Sequence, residues 1–325
     1  MQTTIDPGAD AAQAPTSPLS SGVRRLAGAA LWVLAFILMF SAASYQRLTG
    51  PTYELSGSFQ IEGQSHSYEL IRSEETVRQA RVAIPDPGAG VSAILEFRRF
   101  PTEDPFATAP MVSEPGEEGM ELAAYLPIQP SAGKIEYFLR IVGPSEEVRI
   151  PALGTGADGT RGGEDTIILR YKDPVPLPVL LSHVLLMFFS ILIGMRVALG
   201  ALVLPGGTGR LAWIAMIGMT VGGMVLGPIV QNYAFGAYWT GFPFGYDLTD
   251  NKTLVMWVAW AIGCLVLWRR RSERDPVVRV TLIGATLVMV AVYLIPHSFR
   301  GSELDYDALE SGVPAEEAIG TSDVN

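Results

Sequence analysis

The sequence predicts a membrane protein, an α-helical bundle of five transmembrane helices carrying an exported antiparallel β-sandwich domain. Three observations predict it. Charged residues make up only 17% of the 325 residues and hydrophobic residues 49%, whereas soluble globular chains carry roughly a quarter charged residues. The apolar residues gather in long runs, one near the N-terminus and four in the C-terminal half. Between them lies a stretch of short segments that alternate apolar and polar, the period of half-buried strands.

Composition also narrows the partners. Net charge is −10 and the mean hydropathy is +0.28. An acidic chain lacks the basic footprint that nucleic acid requires, so the expected partners are the lipid bilayer and other membrane proteins. The single cysteine, Cys264, excludes an intramolecular disulfide, a CxxC redox pair and a thiolate metal cluster.

The first 23 residues are rich in Ala, Pro, Ser, Thr and Gly without apolar periodicity, and read as a disordered cytoplasmic tail, 1–23. Arg24 and Arg25 then introduce the run Leu26 to Ala43, assigned to a transmembrane anchor over 24–44. As a helix that run rises about 27 Å, close to the hydrocarbon thickness. A cleaved signal peptide is the alternative, since Ser41, Ala42 and Ala43 would suit a peptidase. The apolar core of such peptides is usually shorter, about 7–15 residues, which favours the anchor.

Four further spans are expected at about 178–203, 211–231, 253–268 and 277–296, within a bundle region of 178–298. Between Asp173 and Asp247 the only charges are Arg196 and Arg210. Arg196 near one end of its span is expected to snorkel toward the interface. Arginine placement sets an orientation. Arg24 and Arg25 precede span one, Arg210 lies between spans two and three, and Arg269, Arg270, Arg271 and Arg274 follow span four. With five spans all of them fall on one side, which the positive-inside rule makes cytoplasmic. The other side receives residues 45–177, the aromatic loop 232–252 and an acidic tail, 299–325. The expected location is therefore the inner membrane, with the sandwich and C-terminus periplasmic.

Residues 45–177 contain eight alternating runs, among them TYELSGSFQI, QARVAIP, SAILEFRRF, GKIEYFLRIV and DTIILRYK, separated by turn signals such as Asp86-Pro87-Gly88. Such spacing suggests a sandwich of about 130 residues. His66, flanked by serines, reads as a solvated surface histidine. Glu114, Glu117, Glu118 and Glu121 lack the spacing of a calcium loop and read as a solvated turn. No Walker loop, HExxH or nucleophile motif occurs.

The candidate functional residues lie at the exported ends of the spans. In span three, Gly218 with Gly222 and Gly223 with Gly227 form small-xxx-small pairs that let helices approach closely. Met216 and Met219 read as core filling. The stretch NYAFGAYWTGFPFGYDLTDNKT packs seven aromatic rings ahead of Asp247, Asp250, Asn251 and Lys252. A loop folded onto the bundle mouth, with Tyr238, Trp239 and Phe242 as a lid and Asp250 or Asn251 capping span four, accounts for both features. His183 and His297 approach that mouth from spans two and five. They could ligate a haem b iron or, with Asp247 or Asp250, a divalent metal; the alternative is that both hydrogen-bond loop carbonyls.

The segment YAFGAYWTGFPFGYDLTDNKT, followed by YLIPHSFRGSELDY, resembles an uncharacterised family of bacterial polytopic inner-membrane proteins over roughly residues 178–306. The resemblance implies a bacterial origin and lends no activity. The strand Lys134 to Ile141 resembles a late strand of immunoglobulin-like or fibronectin-like modules, at the level of fold alone. The expected function is a non-enzymatic envelope protein, a subunit or docking module of a membrane complex. The alternative is a membrane redox or metal-handling protein with its site at the exported mouth.

Overall fold

The computed structural model describes residues 21–117, 119–154, 161–162, 165–204, 206–296 and 302–321. The N-terminal tail through residue 20, Glu118 and His297 therefore lie outside the described residues. Helix α1 (Ser21–Thr49) leads into a sheet region. Helices α2 (Leu177–Val203), α3 (Gly209–Met219), α4 (Gly227–Phe235), α5 (Leu248–Arg270), α6 (Pro276–Leu294) and the short α7 (Tyr306–Glu310) follow it. A π-helical turn, Thr220–Leu226, joins α3 and α4 into one continuous span. Among the described residues five helices are long and apolar enough to cross a membrane: α1, α2, the α3–α4 span, α5 and α6.

Local chemistry sets their ends. Pro178 stands in the first turn of α2, where its missing N–H costs nothing. Gly236, at φ 78°, closes α4 in the left-handed conformation that glycine adopts freely. Asp275 caps α6 by accepting from Val277 N at 2.8 Å, ahead of Pro276. Helix α5 starts five residues earlier than the hydropathy of span four suggests, and its cap is Asp247 rather than Asp250 or Asn251. The Asp247 carboxylate accepts from Thr249 N and Asp250 N, which frees Asp250 for other partners.

The sheet domain comprises β1 (Leu55–Ile61), β2 (Gln64–Leu70), β3 (Ser73–Glu75), β4 (Ala80–Pro85), β5 (Ser92–Phe100) and β6 (Ala107–Pro110). It continues with β7 (Val112–Pro115), β8 (Met120–Leu126), β9 (Lys134–Val142), β10 (Glu147–Ile150), β11 (Arg161–Gly162) and β12 (Thr166–Lys172). Strands β1 and β2 form a hairpin, and β4, β8 and β7 a three-stranded sheet in that order. The largest sheet runs β11-β12-β9-β5-β6, with β10 added to β9 and β3 parallel to β12. All other pairings are antiparallel. These sheets share one apolar core, in which Ile61, Leu70, Val82, Leu95, Leu126 and Tyr137 meet. Tyr137 satisfies its hydroxyl by donating to Ile71 O at 2.7 Å.

Two readings of single residues change here. The His66 ring is not freely solvated: it stacks on Phe59 at 5.3 Å, with Nε2 buried. Glu114 and Glu121, opposite one another across β7 and β8, both pair with Arg81 at 2.8 Å.

In the bundle, Trp260 of α5 is fully buried, and α1 contributes Ala35 and Ala42 to the same core. Met219 lies in this core and Met216 packs against it. The Arg196 guanidinium turns toward the end of its helix, with Nη1 beside Gly200. It lies over the Trp32 ring at 5.6 Å with Nε and Nη1 buried, because α1 covers that face of α2 and offers an aromatic surface. The short connections gather at the end away from the sheets, where Thr208 N donates to Glu273 Oε2 at 2.8 Å and Arg279 Nε to Ala201 O at 2.7 Å. At the other end Asp173 N donates to Ala234 O at 3.0 Å, joining the sheet domain to α4.

The acidic C-terminal stretch is folded. Strands β13 (Ser302–Leu304) and β14 (Ile319–Thr321) pair around α7 and bury Leu304, Tyr306 and Ala318. This small unit sits on the sheet domain. The Tyr306 hydroxyl accepts from Lys134 N at 3.1 Å and donates to Lys134 O at 3.0 Å or Gln129 Oε1 at 3.1 Å. Lys134 pairs with Glu303, and Arg99 with both Asp104 at 2.6 Å and Glu310 at 2.7 Å.

Candidate functional site

Bundle, sheet domain and C-terminal unit meet at a buried polar junction centred on Ser302. Its N–H donates to Asp247 Oδ2 at 3.1 Å, and its carbonyl accepts from Arg170 Nη2 at 2.6 Å. Asp247 belongs to the head of α5, Arg170 to β12 and Ser302 to β13, so one residue ties three units together. Arg170, Asp247, Asp250 and Lys252 are each less than 8% exposed. Burial pulls the Arg170 guanidinium below its ordinary value, against the opposing pull of Asp247 and Glu303. Its face lies on the Phe235 ring at 4.4 Å.

The two aspartates serve the backbone. Asp247 divides its oxygens between the first turn of α5 and Ser302. Asp250 Oδ2 accepts from Thr240 N at 2.6 Å and Gly241 N at 3.0 Å, and Asn251 Oδ1 from Phe242 N at 2.7 Å. These bonds fold the aromatic loop back onto α5, and a Cβ at Gly241 would lie 2.6 Å from Asp250 Cβ. The rings, however, mostly face outward: Tyr238 is 62% exposed and Phe242 66%. Anchoring the loop through its backbone leaves those side chains no interior to fill. Trp239, with Nε1 donating to Phe242 O at 3.0 Å, is the member of the expected lid that lines the interior.

Behind Trp239 lies a half-enclosed cavity of about 650 Å³, bounded by α1, α2, the α3–α4 span, α5, α6 and the edge of the sheet domain. His183, Asp247 and Asp250 all line it, as the sequence leads one to expect. Arg170, Lys252, Lys172 and Tyr293 line it too and were not anticipated. Lys252 Nζ donates to the carbonyls of Ile295 and Pro296, where α6 ends.

The span-three glycines position His183. A Cβ at Gly222 would lie 2.9 Å from Leu186 Cβ and 3.3 Å from Met187 N, and one at Gly223 2.9 Å from Thr253 Cγ2. Gly218 faces Ser190 and Gly227 faces His183. In the π-turn Gly222 O accepts from Gly227 N, five residues on, and Pro228, which has no N–H, ends that ladder. The same carbonyl accepts from His183 Nδ1 at 2.8 Å. That bond places a proton on Nδ1, so that in the neutral ring Nε2 is the acceptor. Among the described residues no three His, Cys, Asp or Glu side chains gather closely enough to hold a metal ion.

Acid is expected to loosen the sheet domain. Hydrogen bonds from Arg99, Ser113 and Arg81 hold Asp104, Asp86 and Glu114, respectively, below the usual carboxylate range. Their stabilisation is complete above the unfolded values of about 4 and is lost as pH falls through the lower folded values. Melting of the purified protein at stepwise lower pH should show a falling midpoint below about pH 4; an unchanged midpoint would exclude these pairs as contributors.

No protein-family model matches the chain, and neither does any curated protein or solved structure.

Proposed function

We propose that the chain is an integral inner-membrane protein of a bacterial envelope, with its N-terminus cytoplasmic and its β-sandwich and C-terminal unit periplasmic. In this reading it acts as a non-enzymatic subunit or docking module of a membrane complex. The observation that carries the reading is the Ser302 junction, which fixes the sheet domain to the bundle instead of leaving it on a linker. A rigidly seated domain presents its outer surface at a fixed height and angle, as a docking module requires.

That outer surface is suited to contact. Strand β7 is an edge of its sheet, and Val112, Met120 and Tyr125 beside it are 64%, 52% and 46% exposed. Unpaired backbone and apolar side chains together invite a partner. The orientation rests on the arginines clustered at the end of the bundle away from the sheets.

Fusions test the orientation. Alkaline phosphatase should be active when joined after Pro176 or Ser311 and inactive after Thr208 or Glu273; the reverse pattern would sink the topology. A photo-crosslinking residue in place of Val112 should yield one discrete adduct in cells. A strictly monomeric protein that turns over a substrate would overturn the docking role.

A further inference from the structure

The cavity behind Trp239 has two unlike walls. Leu180, Val184, Met187, Phe188, Val230 and Met256 form an apolar wall on the helices, while the sheet end carries charges of both signs, Arg47, Arg170 and Lys172 with Glu54, Glu74 and Glu75. Such a division suits a molecule with a charged head and a hydrocarbon tail.

The charges at the deep end are unequally satisfied. Asp247 and Asp250 receive N–H groups from the protein itself. Arg170 makes no close ion pair among the described residues, although the Asp247 and Glu303 carboxylates act on it from farther away. It is 7% exposed, gives Nη2 to a carbonyl, and leaves Nε buried without a partner. Tyr293, 5% exposed, lines the same cavity with its hydroxyl unpartnered. Two buried donors, Arg170 Nε and the Tyr293 hydroxyl, thus lack acceptors among the described residues, a state that costs stability unless something fills it. A phosphate group would supply several charged acceptor oxygens, and guanidinium groups match it well.

We propose that the cavity binds an anionic phospholipid, with its phosphate held by Arg170 and Lys172 and its acyl chains against the apolar wall. A free phosphate ion shares the headgroup chemistry but would fill a small part of about 650 Å³ and leave the apolar wall wet. With Nδ1 donating to Gly222 O, Nε2 of a neutral His183 ring can accept from a headgroup hydroxyl, which favours a glycerol headgroup. The proposal rests on the reading that the helices cross a membrane with this end at the periplasmic leaflet.

The test uses the full chain purified in a neutral maltoside detergent. Phosphatidylglycerol added to the micelles should raise the melting temperature saturably, and phosphatidylcholine should not. Lys172→Gln, at a residue with no side-chain partner among the described residues, should weaken the phosphatidylglycerol response several-fold, and Arg170→Gln should abolish it. Because Arg170→Gln also touches the junction, Val184→Trp provides a second route. It fills the apolar wall, leaves every headgroup residue in place, and should likewise remove the response.

Equal responses to both lipids, or an undiminished response in Lys172→Gln and Val184→Trp, would overturn the proposal. A response to inorganic phosphate alone, equal to that of the lipid, would make the site a phosphate site and overturn the lipid assignment. Carbonate extraction of cell membranes reports separately on the underlying reading. A chain released by carbonate would refute the membrane spans, whatever the micelle titration shows.

Discussion

Asp247→Ala is expected to unseat the C-terminal unit and fray the head of α5 together, lowering stability by about 2–4 kcal/mol. Loss of the helix cap alone accounts for about 1 kcal/mol. The rest comes from stranding the buried Ser302 N–H, which donates to Asp247 Oδ2, and from removing the negative charge that acts on buried Arg170. Thermal melting in detergent, with limited proteolysis of the C-terminal unit, measures both effects. Asp247→Asn keeps an oxygen for the cap and should fall between wild type and Asp247→Ala. If Asp247→Ala melts as wild type does and resists protease equally, the carboxylate is not what closes the junction.

Gly222→Leu should be the other severe substitution, costing about 2–3 kcal/mol through overpacking. Its Cβ would press on Leu186 Cβ and on the backbone at Met187, and a helix backbone cannot yield as a flexible side chain can. The expected result is separation of α2 from the π-turn and loss of the His183 bond to Gly222 O. Gly227→Ala is the control, because a Cβ there meets His183 Cε1 at an ordinary 3.7 Å. Gly222→Leu should melt well below Gly227→Ala; equal midpoints would show that the close approach at Gly222 is not required.

The spans were legible because their interiors hold almost no charge, and a helix in lipid has no other way to satisfy its backbone. All eight alternating runs are strands, β1, β2, β4, β5, β8, β9, β10 and β12. Strands β3, β6, β7 and β11 were not legible, since each spans two to four residues and exists through its neighbour's hydrogen bonds. The C-terminal unit was hidden by its acidity, although Leu304, Tyr306, Leu309 and Ile319 supply a small core. The same limit applied at the candidate site. His183, Asp247, Asp250 and Trp239 were found because each is conspicuous in an apolar or aromatic setting. Arg170 was missed because it alternates with Leu169 and Tyr171 in TIILRYK, where a basic residue reads as solvent-facing. Its face of the strand is covered by a segment 132 residues downstream, and no local pattern reports such a covering. Lys252 did carry a signal, as the lone lysine at the head of an apolar helix.

The Ser302 junction also imposes an order on biogenesis. A ribosome releases the sheet domain long before it reaches residue 302, so Arg170 emerges with neither of the groups it will face. Asp247 follows with the fourth span, and the carbonyl that accepts from Arg170 arrives only after the fifth. The latch is thus made after all five apolar helices. A nascent chain that stalls before it would keep that guanidinium without its carbonyl partner, a mark by which quality-control proteases can tell unfinished copies from finished ones.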